Sequence, residues 1–275
     1  MRVTVRKTPK LFIGGAFVRS ESGRTVSTQS AGEDVNVARA SRKDARDAVR
    51  AARSALSGWS HRTAYNRGQI LYRLAEMLEA RRDEFEADAR ELGAAIDRIV
   101  WYAGWCDKIE QYLSSKNPVA GPHFNVSAPE PTGVVAIVTP TRPHLLCLVS
   151  TVVPPLCGGN TVVAVTPIEQ PFATISFAEA LLSSDVPSGV INILTGDRAE
   201  LSEHLARHMD VNALSMWSDD PALRQRVEML GADNVKRVDT HAEPKADWWF
   251  TAAAQTPQRI ATSMEIKTVW HPAGV

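Results

Sequence analysis

The sequence is poor in cysteine, has no long apolar run and carries no excess charge, and each absence excludes a class of protein. The three cysteines are an odd number without a CxxC or His/Cys spacing, which argues against a disulfide framework and a zinc site. Lysine plus arginine and aspartate plus glutamate both total 31, so the charge favours neither nucleic acid nor an anionic membrane. No apolar run approaches the ~20 residues that span a bilayer. We therefore expect a cytoplasmic protein with reduced, buried thiols at Cys106, Cys147 and Cys157.

Residues 1–113 are predicted to combine short strands with helices. The start, MRVTVRKTPKLFIGGAFV, is basic and then apolar. Because Gly14 and Gly15 interrupt its apolar part and no cleavage site follows, it favours a strand and turn over a secretory signal. Ser41 and Asp44 form a capping-box pattern at the start of the first helix. Apolar residues at helical spacing then predict a second helix over about residues 63–92 and a third over about residues 95–113.

Beyond residue 131 the pattern changes to short apolar strands that alternate with helical segments. The strand segments are GVVAIVT, NTVVAVT, VINILT, VNALSMW and VKRVD. Strands that are apolar on both faces indicate a parallel sheet covered on both sides, so residues 132–245 predict an α/β domain with a doubly wound, Rossmann-like parallel sheet. Residues 114–131 are rich in Pro, Ser and Asn and predict a loop or an irregular hairpin. Residues 246–275 predict a loop and one more strand.

These segments, in this order, resemble the aldehyde dehydrogenase superfamily. FIGGAFV, ARDAVRAARSALSGW, PTGVVAIVTP and CGGNTVV are similar to its amino-terminal strand, its first helix and its coenzyme domain. WYAGWCDK, SSDVPSGVINILTGDRAEL and IKTVWHP resemble the second, cysteine-less module of long two-module aldehyde dehydrogenases. The resemblance implies that residues 1–113 and 132–245 form a coenzyme-type domain. It also implies that residues 114–131 supply an oligomerisation hairpin and residues 246–275 an oligomerisation strand.

The resemblance further implies that the catalytic domain and the nucleophilic cysteine needed for aldehyde oxidation are missing. Enzymes of this family attack the aldehyde with a cysteine thiolate in a catalytic domain of about two hundred residues, placed after the coenzyme domain. Here VKRVD is followed by IKTVW within about thirty residues, too few for a domain. No cysteine follows Cys157. We therefore expect no residue in a catalytic role, because hydride transfer to NAD needs the thiohemiacetal that a nucleophile forms.

The coenzyme-binding residues that the resemblance implies are altered. Arg142 stands where the family has an asparagine that donates to an oxyanion, and a cation there loses the neutral amide geometry. The family's ribose-binding lysine falls at Val165 or Thr166. The acidic partner of that lysine corresponds to Glu169, which could equally be a helix-start acid. Asp239 stands near the family's base glutamate, and a structural role is the alternative for it.

The turn that should hold phosphate carries bulk and negative charge. The family places phenylalanine, threonine, glycine and serine at the positions of residues 215–218. We therefore expect the indole of Trp217 to block the approach of phosphate to the backbone. Asp220 before Pro221 is a good N-cap for the next helix. Its carboxylate would occupy the N–H groups that a pyrophosphate needs and, with Asp219, would repel the phosphates. The sequence thus predicts a coenzyme site that is closed from within the chain.

Two further positions are candidate remnants of a coenzyme site. Gly196 in LTGDRAE matches the family's loop, although a structural glycine that ends a strand explains it equally. Ser218 corresponds to the serine of the family's phosphate turn. His204 and His208 have a spacing that can bind zinc, but without a third ligand we expect surface residues and no metal. His241 is the remaining candidate for chemistry.

Three functions are consistent with these features. The preferred hypothesis is a truncated, non-catalytic subunit without a cofactor, which pairs through EIKTVWHP with a full-length aldehyde dehydrogenase subunit or with itself. The alternative is a residual NAD(P)-dependent aldehyde oxidoreductase, or a weak nucleotide binder, to which a partner could supply the thiol. The third is a fragment without any partner, against which the intact apolar pattern argues. Neither nucleic acid nor membrane is an expected partner.

Overall fold

The computed structural model describes residues 7–30 and 32–273, and residues 1–6 of the predicted basic start lie outside that part. Its strands are β1 (Leu11–Ile13), β2 (Ala16–Val18), β3 (Thr25–Ser30), β4 (Glu33–Ala38), β5 (Ser115–Asn117), β6 (His123–Pro131), β7 (Val134–Val138), β8 (Thr161–Thr166), β9 (Ile191–Thr195), β10 (Ala213–Trp217), β11 (Arg237–His241) and β12 (Met264–Pro272). Its α-helices are α1 (Arg42–Ser60), α2 (Ala64–Ala80), α3 (Ala89–Ala103), α4 (Ile109–Leu113), α5 (His144–Cys157), α6 (Pro171–Ser183), α7 (Arg198–Arg207), α8 (Pro221–Ala232) and α9 (Gln258–Ala261).

The first helix is confirmed, whereas the boundaries expected for the second and third are wrong. Ser41 accepts from the backbone N–H of Asp44 and the Asp44 side chain accepts from that of Ser41, which is the predicted capping box of α1. The expected long second helix ends at Ala80, and a new helix, α3, starts after the N-cap Asp88. Periodicity alone missed the break because apolar residues continue across it while Asp88 caps a new first turn. Within the described residues, no helix has the length and apolarity needed to cross a membrane.

The central sheet has the predicted doubly wound order. Five strands are parallel and adjacent in the order β11-β10-β7-β8-β9, so the chain runs outward from β7 in one direction and then returns to its other side. The hairpin of β1 and β2 extends the sheet antiparallel beside β9. Its turn is Gly14-Gly15, with φ of +62° and +79°, the left-handed region that glycine adopts without strain. The fold is therefore α/β with a Rossmann-like sheet, as predicted.

Two apolar cores cover the two faces of this sheet. Alternate residues of each strand point to opposite faces, so Val135 and Ile137 of β7 join the core with α2, α3, α5 and α6. Val134, Ala136 and Val138 join the core with α1, α7 and α8. The strands β7, β8 and β9 are buried throughout, which explains their almost uninterrupted apolar sequences.

A return segment, residues 242–263, leads from β11 to β12 across the α3 and α5 side of the sheet. Trp249, Ala254 and Ile260 in it are fully buried. Arg98 of α3 fixes the segment through its donors, which reach the carbonyl oxygens of Trp249 at 2.7 Å and Ala254 at 3.2 Å. This short return segment thus covers the α5 side of the sheet beside β11.

A second, three-stranded sheet stands apart from the central one. It has the order β12-β6-β5, so residues 114–131, predicted as a loop or an irregular hairpin, form a hairpin, and the predicted last strand pairs with it. β12 runs antiparallel along the whole of β6 and is an edge strand of this sheet. Except at Met264, its side chains are exposed.

Candidate functional site

The candidate ligand site is the carboxyl edge of the parallel sheet, because the strand order reverses between β7 and β10 and doubly wound folds bind ligands at that point. Arg198, the first residue of α7, reaches across it. Its Nη2 donates to the carbonyl oxygens of Thr139 and Trp217, both at 2.7 Å, which belong to the ends of β7 and β10. Its guanidinium also pairs with Glu243 at 3.1 Å. The crevice at the reversal point is therefore occupied by an ion pair of the chain itself.

Glu243 is held in place by three further hydrogen bonds. Its carboxylate accepts from the backbone N–H of Thr141 at 2.8 Å and from the Thr141 hydroxyl at 2.9 Å. Its own backbone N–H donates to Asp219 at 3.0 Å. The loop after β11 is thereby tied to the loops after β7 and β10, so the three loops form one hydrogen-bonded cluster.

The N-terminus of α8 is capped from within the chain, as predicted. One carboxylate oxygen of Asp220 accepts from the backbone N–H groups of Ala222 at 2.9 Å and Leu223 at 3.2 Å. The hydroxyl of Ser218 accepts from the N–H of Asp220 at 3.2 Å. Arg224 also donates to the Ser218 carbonyl oxygen. The donors of the first turn that could hold a phosphate are therefore already partnered by carboxylate.

The indole of Trp217 lies on a different side of β10 from the one expected. Met216 packs in the core that contains Val227 of α8, whereas the next residue, Trp217, packs in the core that contains Trp249. Its ring is stacked on His241 with centroids 4.3 Å apart. Because side chains alternate along a strand, the indole closes the α5 side of β10 and does not cover the start of α8.

The candidate coenzyme remnants lie at the ends of four different parallel strands, and no side-chain hydrogen bond joins one of them to another among the described residues. Arg142 and Glu169 are exposed, and neither side chain hydrogen-bonds to another described residue. Thr166 is buried, with its hydroxyl donating to the Leu194 carbonyl oxygen at 3.3 Å. Gly196 has a φ of +154°, and a Cβ there would lie 3.1 Å from the backbone nitrogen of Ala40. A close approach of backbone to backbone explains this glycine without a ligand.

The three cysteines are buried and free, as the sequence predicts. Burial raises the pKa of the Cys147 thiol far above its ordinary value, and nearby Glu243 and Glu91 raise it further. The pKa of Cys157 is also well above its ordinary value, first through burial and then through its hydrogen bond with Cys106. A thiol with a raised pKa and no access to solvent is a poor nucleophile, so these side chains act as core residues.

A cavity of about 250 Å³ lies on the α5 side of the sheet, under β10, β11 and the return segment. Asp239 and His241, both lining it, are paired, with Nε2 of His241 2.8 Å from a carboxylate oxygen of Asp239. Arg259 of α9 enters from the opposite wall, where its guanidinium faces Trp217 at 5.1 Å and Trp248 at 5.5 Å from the ring centroids. This cavity unites the predicted Asp239 and His241 with an arginine that the sequence did not single out.

The two histidines of the predicted zinc spacing lie apart from this cavity. His204 on α7 lies 4.0 Å from Glu200. His208 follows the same helix, and burial is the main cause that lowers its pKa. No group of three or more His, Cys, Asp or Glu side chains in the described residues is placed to hold a metal ion.

Sequence patterns did not reveal Arg198, Glu243 or Arg259. Arg198 stands at a helix start, Glu243 in a short loop and Arg259 in a one-turn helix, so none belongs to a periodic pattern or a spaced motif. Only Arg198 had a local signal, since it follows the Gly196-Asp197 pair that ends β9 and caps α7. The carboxylate that it binds is 45 positions away along the chain.

Comparison with known proteins places these features in a family. The family model described as the aldehyde dehydrogenase family matches residues 17–266. The cytosolic 10-formyltetrahydrofolate dehydrogenase of Mus musculus is 32% identical over 257 residues, which are 86% of this chain and 28% of that protein. The putative aldehyde dehydrogenase DhaS of Bacillus subtilis is 30% identical over 249 residues, 84% of this chain and 50% of that protein. The chain spans half or less of the length of these relatives.

Solved structures show the same likeness. PnpE from Pseudomonas sp. WBC-3 superposes with a TM-score of 0.79 at 26% identity, over 86% of this chain and 51% of that one. The crystal structure of PnpE in complex with nicotinamide adenine dinucleotide gives the same values. The matched half of that chain thus has the fold described above, and PnpE binds the dinucleotide.

Proposed function

The chain belongs to the aldehyde dehydrogenase family, and we propose that it is a non-catalytic member that assembles with a full-length aldehyde dehydrogenase subunit. The observation that carries the proposal is the direct connection of β11 to β12. Only residues 242–263 join these strands, where the resemblance implies a catalytic domain with a nucleophilic cysteine. No cysteine stands in or after this connection. Without a nucleophile there is no covalent intermediate from which hydride could leave.

The altered edge of the sheet supports the absence of a bound coenzyme. The Arg198–Glu243 pair occupies the reversal point, and Asp220 occupies the first-turn N–H groups of α8. A dinucleotide phosphate would have to displace the carboxylate of Asp220 from these N–H groups and approach the carboxylate of Glu243. Each like-charge contact at a helix N-terminus opposes binding by roughly 1 kcal/mol. These terms favour a coenzyme-free protein, and the free, buried thiols support our proposal that it is cytoplasmic.

The edge of the second sheet supports assembly. The outer edge of β12 has no neighbouring strand among the described residues, and Ile266, Val269 and Trp270 on it are 53%, 53% and 59% exposed. An edge strand with unpaired backbone groups and apolar side chains favours pairing with another chain. The resemblance implies an oligomerisation strand at this place, so we propose that the partner pairs along β12 in the manner of a family dimer.

Capture from the native lysate tests this proposal. The tagged protein is expected to retain a full-length aldehyde dehydrogenase, identified by mass spectrometry. A variant with Ile266→Lys and Trp270→Lys is expected to lose it, because two charges would be placed along the pairing edge. The matched control is Tyr72→Lys, which changes a residue of similar exposure (51%) on α2. A monomer at micromolar concentration that captures no dehydrogenase, or equal capture by all three proteins, would contradict the proposed assembly.

The competing function is a weak NAD(P) binder or a residual oxidoreductase. The fold likeness to PnpE, which is known with bound nicotinamide adenine dinucleotide, is the observation in its favour. Isothermal titration of the purified chain with NAD and with NADP separates the two functions. We expect millimolar or weaker binding, whereas a micromolar dissociation constant would support the nucleotide binder and refute the closed site.

A further inference from the structure

The cavity under β10 and β11 has room for an organic ligand. Its volume of about 250 Å³ exceeds the ~150 Å³ of an engineered apolar cavity that holds benzene. Much of its wall is apolar and is formed by Val135, Ile137, Pro154, Pro155 and Ala213. A ring or short aliphatic chain of a small molecule therefore fits both its size and its surface.

Arg259 brings a positive charge into this cavity without a paired carboxylate. Its Nε donates to the Ala254 carbonyl oxygen at 3.1 Å, and its two Nη groups have no acceptor among the described residues. No carboxylate of the described residues lies within 4.0 Å of it, and Trp217, Trp248 and Trp249 surround it at 5.1 to 5.5 Å. Burial lowers its pKa. A partly buried cation without a paired carboxylate favours an anion that comes to it.

A second buried guanidinium adds to the positive charge behind the cavity. Arg98 is 3% exposed and is satisfied by four neutral acceptors, which are Gln255 Oε1, Ser150 Oγ and the carbonyl oxygens of Trp249 and Ala254. Its charge is therefore fixed in position but not neutralised by a carboxylate. The nearby acid, Asp239, is itself paired with His241. The wall on the side of α9 thus carries excess positive charge.

Trp217 contributes an aromatic side chain to the wall of the cavity. It is 5% exposed and lines the cavity, and its Nε1–H has no acceptor among the described residues. A buried indole N–H usually finds a hydrogen-bond partner, because an unmade hydrogen bond is costly in a dry site. Because this nitrogen has almost no accessible surface, the indole contributes its ring, and not a donor, to the wall of the cavity.

We propose that this cavity is a binding site for a small organic carboxylate, whose carboxylate group pairs with Arg259 and whose apolar part lies against Trp217 and the proline-lined wall. The guanidinium offers the two parallel donors that match a carboxylate. The proposal extends beyond the function described above, since it requires neither a coenzyme nor a partner chain. It also gives Trp217 a role that does not depend on phosphate.

Titration of the full chain with sodium benzoate and sodium hexanoate tests the site. Tryptophan fluorescence is the readout because Trp217 and Trp248 line the cavity, and calorimetry confirms it at matched ionic strength. We expect saturable binding of at least one of the two carboxylates. Benzamide, a neutral molecule of the same shape as benzoate, is expected to bind about tenfold or more weakly, since it lacks the charge-assisted hydrogen bonds. No saturation with either carboxylate, equal binding of benzamide, or equal binding of inorganic sulfate would overturn the proposal.

Variants assign the charge to Arg259. R259M is expected to weaken carboxylate binding about tenfold to a hundredfold, and R259K to weaken it less, because lysine keeps the charge but not the paired donors. The matched control R226M removes an exposed arginine that pairs with Glu203 outside the cavity and is expected to bind as the parent does. If R259M does not fold, W217F replaces the indole against which the apolar part of the ligand lies by a smaller ring and is expected to bind several-fold more weakly. The assignment of the carboxylate-binding charge to Arg259 would be overturned if both R259K and R259M bound the carboxylate as tightly as the parent. If R259M is unfolded, unchanged carboxylate affinity in W217F would overturn it.

Discussion

Replacing Glu243 by alanine should show how much the ion pair at the reversal point contributes to stability. The change removes the acceptor of Arg198 and of both donors of Thr141, and leaves the guanidinium with two carbonyl oxygens and the Thr141 hydroxyl as its partners. The Nε of Arg198 is already buried without a partner, so the substitution removes the only carboxylate from a guanidinium whose donors are incompletely satisfied. The variant is therefore expected to be destabilised more than a surface substitution.

The burial of the Arg198–Glu243 pair sets the size of the expected stability loss. Removing one partner of a fully buried pair costs about 3–5 kcal/mol, whereas exposed pairs contribute up to about 1 kcal/mol. The side chains of Arg198 and Glu243 are 25% and 14% exposed, which places this pair between those limits. We expect a loss of about 2 kcal/mol in the free energy of unfolding. For a chain of this size, that corresponds to a melting temperature lower by about 4–8 °C.

Urea denaturation of the parent, Glu243→Ala, Arg198→Met and the double variant measures this effect and the coupling between the two residues. The matched control is Glu76→Ala, which removes the acid of an exposed pair with Arg73, both side chains being 46% exposed. The control is expected to change stability by less than about 0.5 kcal/mol. A loss in Glu243→Ala no larger than in the control, or a coupling energy below about 0.5 kcal/mol, would refute the reasoning.

Three further predictions concern the same end of the sheet. Burial, and then two nearby arginines, lower the pKa of His144 to about 4, so between about pH 6.5 and 4 the unfolded chain binds more protons than the folded one, and stability falls as the pH falls. His144→Gln is expected to remove up to about 2–3 kcal/mol of this acid destabilisation, seen as a shallower dependence of the unfolding free energy on pH; identical slopes would contradict it. Asp220→Ala should lower the unfolding free energy by about 1 kcal/mol in urea titrations while Asp220→Asn, which keeps the cap, changes it little, and equal losses would argue against capping. The double variant Asp219→Ser, Asp220→Thr is expected to bind NAD more tightly than the parent in calorimetry, and still more tightly when Glu243→Gln is added; no gain in either protein would mean that other features close the site.

The predicted strands and caps followed from short-range features of the sequence. VNALSMW and the Asp220-Pro221 pair are found as β10 and the capped start of α8, because strand periodicity and N-cap chemistry act within a few residues. The expected helix over about residues 63–92 failed for the complementary reason, since the side chain of Asp88 started a new helix within a continuous apolar pattern. Helix ends depend on single polar groups that periodicity does not weigh.

The position of Trp217 shows the limit of reasoning from a motif. Its place in the turn was clear from the sequence, but the side of the sheet that receives the indole depends on the register of β10 against its neighbours. The same holds for Arg259, whose three aromatic neighbours come from β10 and from the return segment. Neither the side on which Trp217 packs nor the aromatic surroundings of Arg259 can be predicted from a few neighbouring residues of the sequence.

The sequence by itself determined the α/β class, the run of apolar strands, the cap at Asp220 and the absence of a cysteine after Cys157. These properties depend on residue identity and on neighbours along the chain. The tertiary structure alone decided that Arg198 meets Glu243 at the reversal point and that Arg259, Trp217 and Asp239 surround one cavity. Side chains from distant segments come together only through strand order, register and packing, and those depend on the free energy of the whole chain.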